Sequence, residues 1–498
     1  MAALSNITEA SPAGFSRRQI NELQEIVGET QVLHHAIDLI PYQQDGTAGL
    51  SRRPAAVAIP RTTAQVSALV VWANKHGVPI VPRGSGTGLA GGVVPVGEAL
   101  MLSLVEMNQV LFCNPASRRL RCQAGVNTQV VAETASSYGL FYPPDPGSMK
   151  ISTIAGNVAC NSGGLRGLKY GVTRDYVVGG TVVLADGSVQ EIRATGPRPG
   201  GGISALPFLI GSEGTLGILT EIELRLIDPP EHKETVLAVF DKMENAAATV
   251  SAIIAHPIVP CTMEFLDGTT IRCVERSAQI GLPPDADALL LLETDGSKAR
   301  TEEEVLAMER IAKQHGAVEI RRAASLREAS ELSAARRTAF SALARVRPTT
   351  ILEDITVPPA ALEEMLRRIK SIAEKHKLQV GTFGHFGDGN LHPTFLTDER
   401  DDEEMSRIHD ALKDLFEQAV ELGGTLSGEH GVGLVKRPYL PLLMNPAEQR
   451  LQAVIKAVFD PHGRFNPGKA FIDPDNSDLS FQPSPADTLV LAGEEAIS

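Results

Sequence analysis

Two short runs concentrate side chains that bind metal ions or move protons: residues 384–392, GHFGDGNLH, and, further along, Ser427-Gly428-Glu429-His430-Gly431. The first predicts a β-hairpin whose turn is Gly387-Asp388-Gly389-Asn390, or its central Asp-Gly pair alone. Either turn pairs Phe386 with Leu391 and His385 with His392, so the two imidazoles stand directly opposite on one face, with Cβ atoms roughly 4.5–5.5 Å apart. At that separation both rings reach one divalent ion, and Glu429 supplies a carboxylate as third ligand, leaving positions open for a substrate as a catalytic site requires. His430 is then free for acid–base work. Successive side chains of an extended segment point to opposite faces, so His430 is expected to turn away from the ligand cluster. The reverse assignment, with His430 as ligand and Glu429 as base, stays open at this level.

Composition sets the frame for that chemistry. With 498 residues the chain is long for one core, and two or three domains are expected. A formal charge of −14, with no basic run, argues against a nucleic-acid partner. No window is apolar for long enough to span a membrane, and the first residues lack the basic start and apolar stretch of a secretory signal. Five cysteines (Cys113, Cys122, Cys160, Cys261, Cys273), with no CxxC pair, suit a reduced, cytoplasmic protein with buried thiols.

The elements that must position the two runs follow in chain order. A helix around residues 17–27 comes first, and its role looks structural. A strand at 56–60 leads to a helix capped by Thr62 and Gln65 and stopped by Gly77, then a strand at 78–82: one βαβ unit. It opens directly into Arg83-Gly84-Ser85-Gly86-Thr87-Gly88-Leu89-Ala90-Gly91-Gly92. The G-x-G-x-x-G from Gly86 to Gly91 is not a dinucleotide fingerprint, because that motif must open a helix, whereas Val93-Val94-Pro95 leads to another strand at 100–104. No Lys-Ser/Thr follows, which excludes a Walker loop. What remains is a nest of backbone N–H groups suited to a pyrophosphate. Two further blocks repeat the theme of small residues, turns and amides that let backbone approach a flat ligand. They are residues 143–171, PPDPGSMKISTIAGNVACNSGGLRGLKYG, and residues 209–218, LIGSEGTLGI. A hairpin at 180–193 and a strand at 222–227 complete this part, and Asp228-Pro229-Pro230 marks a boundary. Apolar strands (236–240, 288–293) then alternate with amphipathic helices such as 300–315, and a helix after Pro358-Pro359 carries Leu362, Met365, Leu366, Ile369, Ile372 and Ala373 as a core stripe.

The three glycine-rich blocks, followed by GHFGDGNLHP, SGEHGVG and FNPGKAF, resemble the flavoprotein superfamily of vanillyl-alcohol oxidase and p-cresol methylhydroxylase over roughly residues 40–472. Within it the chain is most similar to the 2-hydroxy-acid dehydrogenases, and among those to the FAD-containing D subunits of glycolate oxidases. The resemblance implies an α+β fold, a two-subdomain FAD-binding fold of the vanillyl-alcohol oxidase type with an α+β cap that holds the substrate. Its parts are a helical segment (1–54), the FAD-binding domain (55–230), the cap with the metal hairpin (231–440), a return to the FAD domain (441–473) and a disordered tail (474–498). It also implies FAD contacts from Pro82, Arg83, Gly84, Ser85, Gly86, Thr87, Gly88, Gly91 and Gly92 in the first block, and from Pro144, Asp145, Ser152, Gly156, Asn157, Asn161, Gly163 and Gly164 in the second. Gly211, Glu213, Gly214 and Ile218 in the third block, and Asn466 near the end, complete that set.

By the same resemblance Arg336 takes the place of the arginine that clamps the substrate carboxylate, a task suited to a planar bidentate guanidinium. Some D-2-hydroxyglutarate enzymes of the family carry a lysine shortly before the aspartate corresponding to Asp354. Here Leu352 stands there, which argues against a second carboxylate on the substrate. The implied activity is oxidation of a small 2-hydroxy acid, glycolate or D-lactate, to the 2-oxo acid. His385, His392 and Glu429 would hold zinc or manganese, with His430 as base. The implied partners are a second flavin-type subunit and an iron–sulfur subunit that passes electrons towards membrane quinones, giving peripheral membrane association. A metal-dependent hydrolase would use the same cluster but gives no role to the glycine blocks. A flavin-binding scaffold gives none to Arg336 and His430.

The first glycine block holds no histidine or cysteine able to bond an isoalloxazine ring. Acid or heat precipitation is therefore expected to release all the FAD into the supernatant. Yellow colour retained in the washed pellet would contradict a non-covalent site.

Overall fold

The computed structural model describes residues 14–194 and 204–472, and the expected tail lies outside them. The first helix runs Arg17–Val27 and buries Ile20, Leu23 and Val27. Strand β1 (Val32–Leu33) then joins β2 (Ala56–Ala58). The Thr63–His76 helix is capped by the Thr62 hydroxyl, which accepts from Gln65 N, and stops at Gly77 in the left-handed region. It links β2 to β3 (Ile80–Arg83), and both strands run parallel to β4 (Leu100–Ser103), which lies between them. The glycine-rich loop after β3 leads to β4, a strand, as the rejection of a dinucleotide fingerprint required.

A second, antiparallel sheet contains β5 (Val110–Asn114), β6 (Arg119–Gln123), β7 (Val177–Val183), β8 (Val189–Arg193) and β9 (Ile218–Arg225), in the order β5-β6-β9-β7-β8. β9 begins earlier than the sequence suggested because β7 offers it partners as far as Val183↔Ile218. One core spans both sheets, joining Ile80, Leu102, Val126, Ile154 and Ile218 with Phe465. Phe465 bridges in parallel to Ile80, so the end of the chain is built into the first sheet.

The remaining strands are β10 (His232–Phe240), β11 (Thr262–Asp267), β12 (Ala288–Gly296), β13 (Ala317–Arg322), β14 (Thr349–Leu352), β15 (Ile355–Thr356), β16 (Gln379–His385) and β17 (Asn390–Thr397). They form one antiparallel sheet in the order β13-β10-β12-β11-β16-β17-β14, with β15 also paired to β17. Helices Met243–Ala255, Lys298–Gln314, Leu362–His376 and Asp402–Glu421 cover one face. The expected stripe from Leu362 to Ala373 is buried there. Helices Gly268–Ala278 and Ala339–Leu343 pack on the other face, with Leu332 of the Leu326–Arg337 helix. Side chains of a strand alternate between faces: Phe386 packs on the four-helix side and Phe383 on the other. His385 shares the face of Phe383, away from the larger core.

The hairpin corrects one expectation. β16 and β17 pair with Phe383 opposite His392, so His385 and His392 are diagonal neighbours and not a directly opposed pair. Competition from other strands explains the offset. Phe386 N donates to Met263 O of β11, while Leu391 pairs with Ile355 of β15, so residues 386 and 391 are drawn to different partners. The diagonal still leaves both rings on one face, with centroids 5.3 Å apart.

Phe386 is fully buried and stacks on Phe265 of β11, with ring centroids 4.1 Å apart and an interplanar angle of 9°. This contact anchors the turn that carries His385. Phe386→Ala is expected to cost about 3–5 kcal/mol of unfolding free energy, the usual range for a large aromatic in a core. Denaturant titration would measure it, and a loss below about 1 kcal/mol would show that the stack does not anchor the hairpin.

Candidate functional site

A cavity of about 720 Å³ lies between the two halves and is lined by all three glycine blocks together with the histidine cluster. From the first block Pro82, Arg83, Gly84, Ser85, Gly86, Thr87, Gly88 and Gly92 line it; from the second, Ser152, Gly156 and Asn157; from the third, Glu213, Gly214 and Ile218. Gly86 has φ +72°, and a Cβ there would run into the Arg83 guanidinium, so only glycine lets the loop fold over its own arginine.

The other expected contacts support the walls from behind. Gly91 donates its N–H to Thr47 Oγ1 at 2.8 Å. Asn161 caps the Ile154–Cys160 helix in the left-handed region, and its side chain accepts from Arg174 N. Gly163 packs near Glu429, Gly164 lies against Asp145, and Gly211 sits beside Asn161. Asp145, next to Pro144, is 2% exposed and accepts from Arg337 Nη2 at 2.8 Å across the two halves, with Arg166 at 3.4 Å. None of Pro144, Asp145, Asn161, Gly163, Gly164, Gly211 or Asn466 lines the cavity. Asp145, expected at the ligand, is paired in this structure with Arg337 and Arg166 and so ties the two halves together. Asn466 Nδ2 donates to Gly92 O at 2.9 Å and to Glu213 O at 2.7 Å, which ties the first block to the third.

The histidine cluster closes one end of this space. Glu429 Oε1 lies 3.2 Å from His385 Nε2 and 3.6 Å from His392 Nε2. The three residues bring their ligand atoms within 4.8 Å of one another, close enough that they could hold a metal ion. His430 does not turn away. Its ring stacks on His392 with centroids 5.1 Å apart, and its Nε2 is 4.0 Å from Glu429 Oε1. The reason is that residues 427–430 are not extended but wrap round the Asp354 carboxylate. Asp354 Oδ2 accepts from Ser427 Oγ at 2.8 Å and from the N–H groups of Gly428, Glu429 and His430, each at 2.9 Å. Asp354, His392 and His430 therefore form a second set of converging donors.

Arg336 lines the same space at 5% exposure, its guanidinium 4.8 Å from the centre of the Phe383 ring. Its Nη2 is 2.6 Å from Glu264 Oε2, and Glu264 Oε1 is 2.6 Å from His385 Nδ1. Nothing in the sequence marks Glu264, and little marks the strap of residues 41–50. Gln44, Asp45 and Gly46 of that strap line the cavity, and Gly46 N donates to Gly88 O at 2.8 Å. The Asp45-Gly46 turn was the only signal for it.

Charge in this enclosure is steeply biased. Burial alone would lower the His385 pKa, but Glu264 and Glu429 on its two nitrogens hold it well above the ordinary value. Burial opposes ionisation of Glu429, yet its hydrogen bonds to His385 and His392 hold it well below the usual carboxylate range. Burial brings His430 down to about 4, against the pull of Asp354. Two carboxylates around one imidazole, beside a neutral His430, is a pattern that suits a divalent cation in place of the proton. Buried His392 Nδ1 and His430 Nδ1, each without a hydrogen bond among the described residues, belong to the second set and face Asp354 at 3.7 and 3.9 Å.

Residues 229–470 match the family described as FAD linked oxidases, C-terminal domain, and residues 54–193 match the FAD binding domain family. The chain is 47% identical to the glycolate oxidase subunit GlcD of Bacillus subtilis over 430 residues, covering 86% of this chain and 92% of that protein. It is 34% identical to a D-lactate dehydrogenase of Anaerostipes hadrus, covering 84% and 89%. Its fold is similar to a solved structure of p-cresol methylhydroxylase with substrate bound, at TM-score 0.76 and 16% identity, covering 93% of this chain and 99% of that one.

Asp354 is fully buried and gathers four donors from one loop. Asp354→Asn removes the charge that they share and is expected to cost about 3–5 kcal/mol, as for a broken buried charge pair. Turnover should fall with it while the flavin-to-protein ratio stays at the wild-type value, since no glycine block is touched. Unchanged turnover in this variant would show that the loop holds its shape without the carboxylate.

Proposed function

This chain belongs to the family of FAD-linked oxidases, and on that premise we propose that it oxidises small 2-hydroxy acids, glycolate first and D-lactate second, to their 2-oxo acids. The observation that carries the reading is one enclosure that holds three glycine blocks at one end and Arg336, His385, His392, Glu429 and His430 at the other. The glycine loops suit FAD, because main chain bare of side chains along the cavity lets a pyrophosphate and a flat ring approach its N–H groups closely. When bound, FAD supplies the acceptor for the hydride that leaves the substrate α-carbon.

The chain's own residues do the rest. Arg336 binds and orients the substrate carboxylate. Leu352, which lines the cavity, gives the far end of the substrate an apolar wall, which favours a monocarboxylate over D-2-hydroxyglutarate. His430 is neutral at physiological pH and takes the hydroxyl proton, the role suited to an imidazole held below its ordinary pKa. His385, His392 and Glu429 would hold a divalent metal, zinc or manganese, and such an ion would supply Lewis acidity there. The cavity walls exclude water from the reacting atoms.

The electrons leave through partners, a second flavin-type subunit and an iron–sulfur subunit. GlcD of Bacillus subtilis is named as a subunit, and the five free cysteines here form no cluster that would hold iron and sulfur. Among the described residues no helix is long and apolar enough to cross a membrane. A cytoplasmic protein held at the inner membrane face through those partners fits this arrangement.

Anaerobic titration tests the reading. Glycolate and D-lactate are expected to bleach the flavin absorbance, with D-2-hydroxyglutarate much slower. A colourless protein would point to metal-dependent hydrolysis, and a yellow one that no 2-hydroxy acid bleaches would point to a scaffold.

The two roles in the Glu429-His430 pair separate by substitution. His430→Ala is expected to keep FAD and metal while flavin reduction slows by roughly 10²–10⁴-fold, the usual worth of a general base. Glu429→Ala loses metal as well. Metal analysis showing the opposite pattern would exchange the two roles.

A further inference from the structure

Glu264 stands in an apolar stretch of β11, between Met263 and Phe265, where an aliphatic residue would pack at no desolvation cost. It is completely buried, and neither of its oxygens serves the backbone ladder. The strand register places it opposite His385 of β16, and its two oxygens go to two different cavity residues: Oε1 to His385 Nδ1 and Oε2 to Arg336 Nη2, each at 2.6 Å. We propose that Glu264 is a positioning residue that links the carboxylate clamp to the histidine cluster, holding Arg336 and His385 through one carboxylate. The proposal rests on the reading of Arg336 as the substrate clamp.

The geometry gives each oxygen its own task. The contact from Glu264 to Nδ1 fixes the orientation of the His385 ring, so that Nε2 is the atom turned to the cavity side, where Glu429 lies 3.2 Å away. On the other arm, Glu264 takes one corner of the guanidinium while the Phe383 ring supports its face. The contact with Glu264 is an ion pair by proximity, and Arg336 Nε and Nη2 are both buried without a hydrogen bond among the described residues, which leaves the guanidinium edge able to donate to an incoming carboxylate. One carboxylate thereby fixes the angle between the group that holds the substrate's acid end and the group that meets its hydroxyl end.

An amide supplies one acceptor where a carboxylate supplies two, so Glu264→Gln is able to serve either His385 or Arg336 but not both. The test uses the full FAD-loaded chain and two readouts: acetate affinity, from the shift that acetate causes in the flavin spectrum, and kcat and KM with glycolate. Glu264→Gln is expected to weaken acetate binding at least tenfold in the wild-type background, with a matching rise in KM. In an Arg336→Lys background it should weaken acetate less than twofold. A fall in kcat, carried through His385, should persist in the Arg336→Lys background and vanish in a His385→Asn background. Where Glu264→Gln does not fold, Glu264→Asp keeps the charge but lacks the reach to both partners, and the same split is expected.

Equal losses in every background, losses under twofold, or no acetate binding by the wild type would each overturn the proposal. Failure of every 2-hydroxy acid to bleach the wild-type flavin would instead remove the proposed reaction, while acetate affinities would still decide whether Glu264 acts through Arg336.

Discussion

A carboxylate without access to water must be met by donors or give up its charge, and this requirement shapes the histidine end of the cavity. Asp354 meets it by winding residues 427–430 round one oxygen, while Asn390 Nδ2 donates to the other at 2.7 Å. The fully buried Lys436 donates to the Asp354 carbonyl at 2.9 Å and lies 3.8 Å from Oδ2, so cation and anion sit back to back beneath the site. The shape of the loop that presents Glu429 and His430 is thus a by-product of solvating one anion with backbone. No separate device is needed to aim either side chain.

The same constraint separates what the sequence made legible from what it hid. Local signals were sound. The Thr62 cap and Gly77 stop bounded a real helix, the apolar positions from Leu362 to Ala373 formed a buried stripe, and the glycine blocks became cavity walls. His385, His392 and Glu429 converged because two histidines near a tight turn stay within reach across several registers. The register itself was not legible, since it depends on β11 and β15, which compete for Phe386 and Leu391 and lie far away in the chain. The direction of His430 failed for a related reason. The alternation rule applies to extended backbone, and residues 427–430 are curved round an aspartate some 70 residues earlier, on the order of a separation that no short-range pattern reveals.

Residues that act through others were the hardest to see. Glu264 has no neighbour in sequence that marks it, and Asp145 lies inside a glycine-rich block that suggests ligand contact. Only the fold shows that Asp145 faces Arg337 of the other half, with Arg166 of its own half beside it. In both cases the charge is informative once burial is known, because an ionised group with no water must have an identifiable partner.

The flavin-binding end is assembled on a different principle, from loops that are remote in the chain. Asn466 reaches Gly92 across 374 residues, and Lys456 Nζ donates to Thr215 O across 241. Glu213 accepts from Val432 and Gly433 N–H groups at 2.7 and 2.8 Å, which couples the third glycine block to the loop that carries His430. None of these contacts forms until most of the chain is in place, so the cradle is completed late and by its least local contacts. A ligand that binds only the finished cradle stabilises all of them together, by about 2.7 kcal/mol at a hundred times its dissociation constant. Glu213 belongs to the cradle and also holds Val432 and Gly433 at the far end of the 427–433 loop, whereas residues 427–430 are held separately by Asp354.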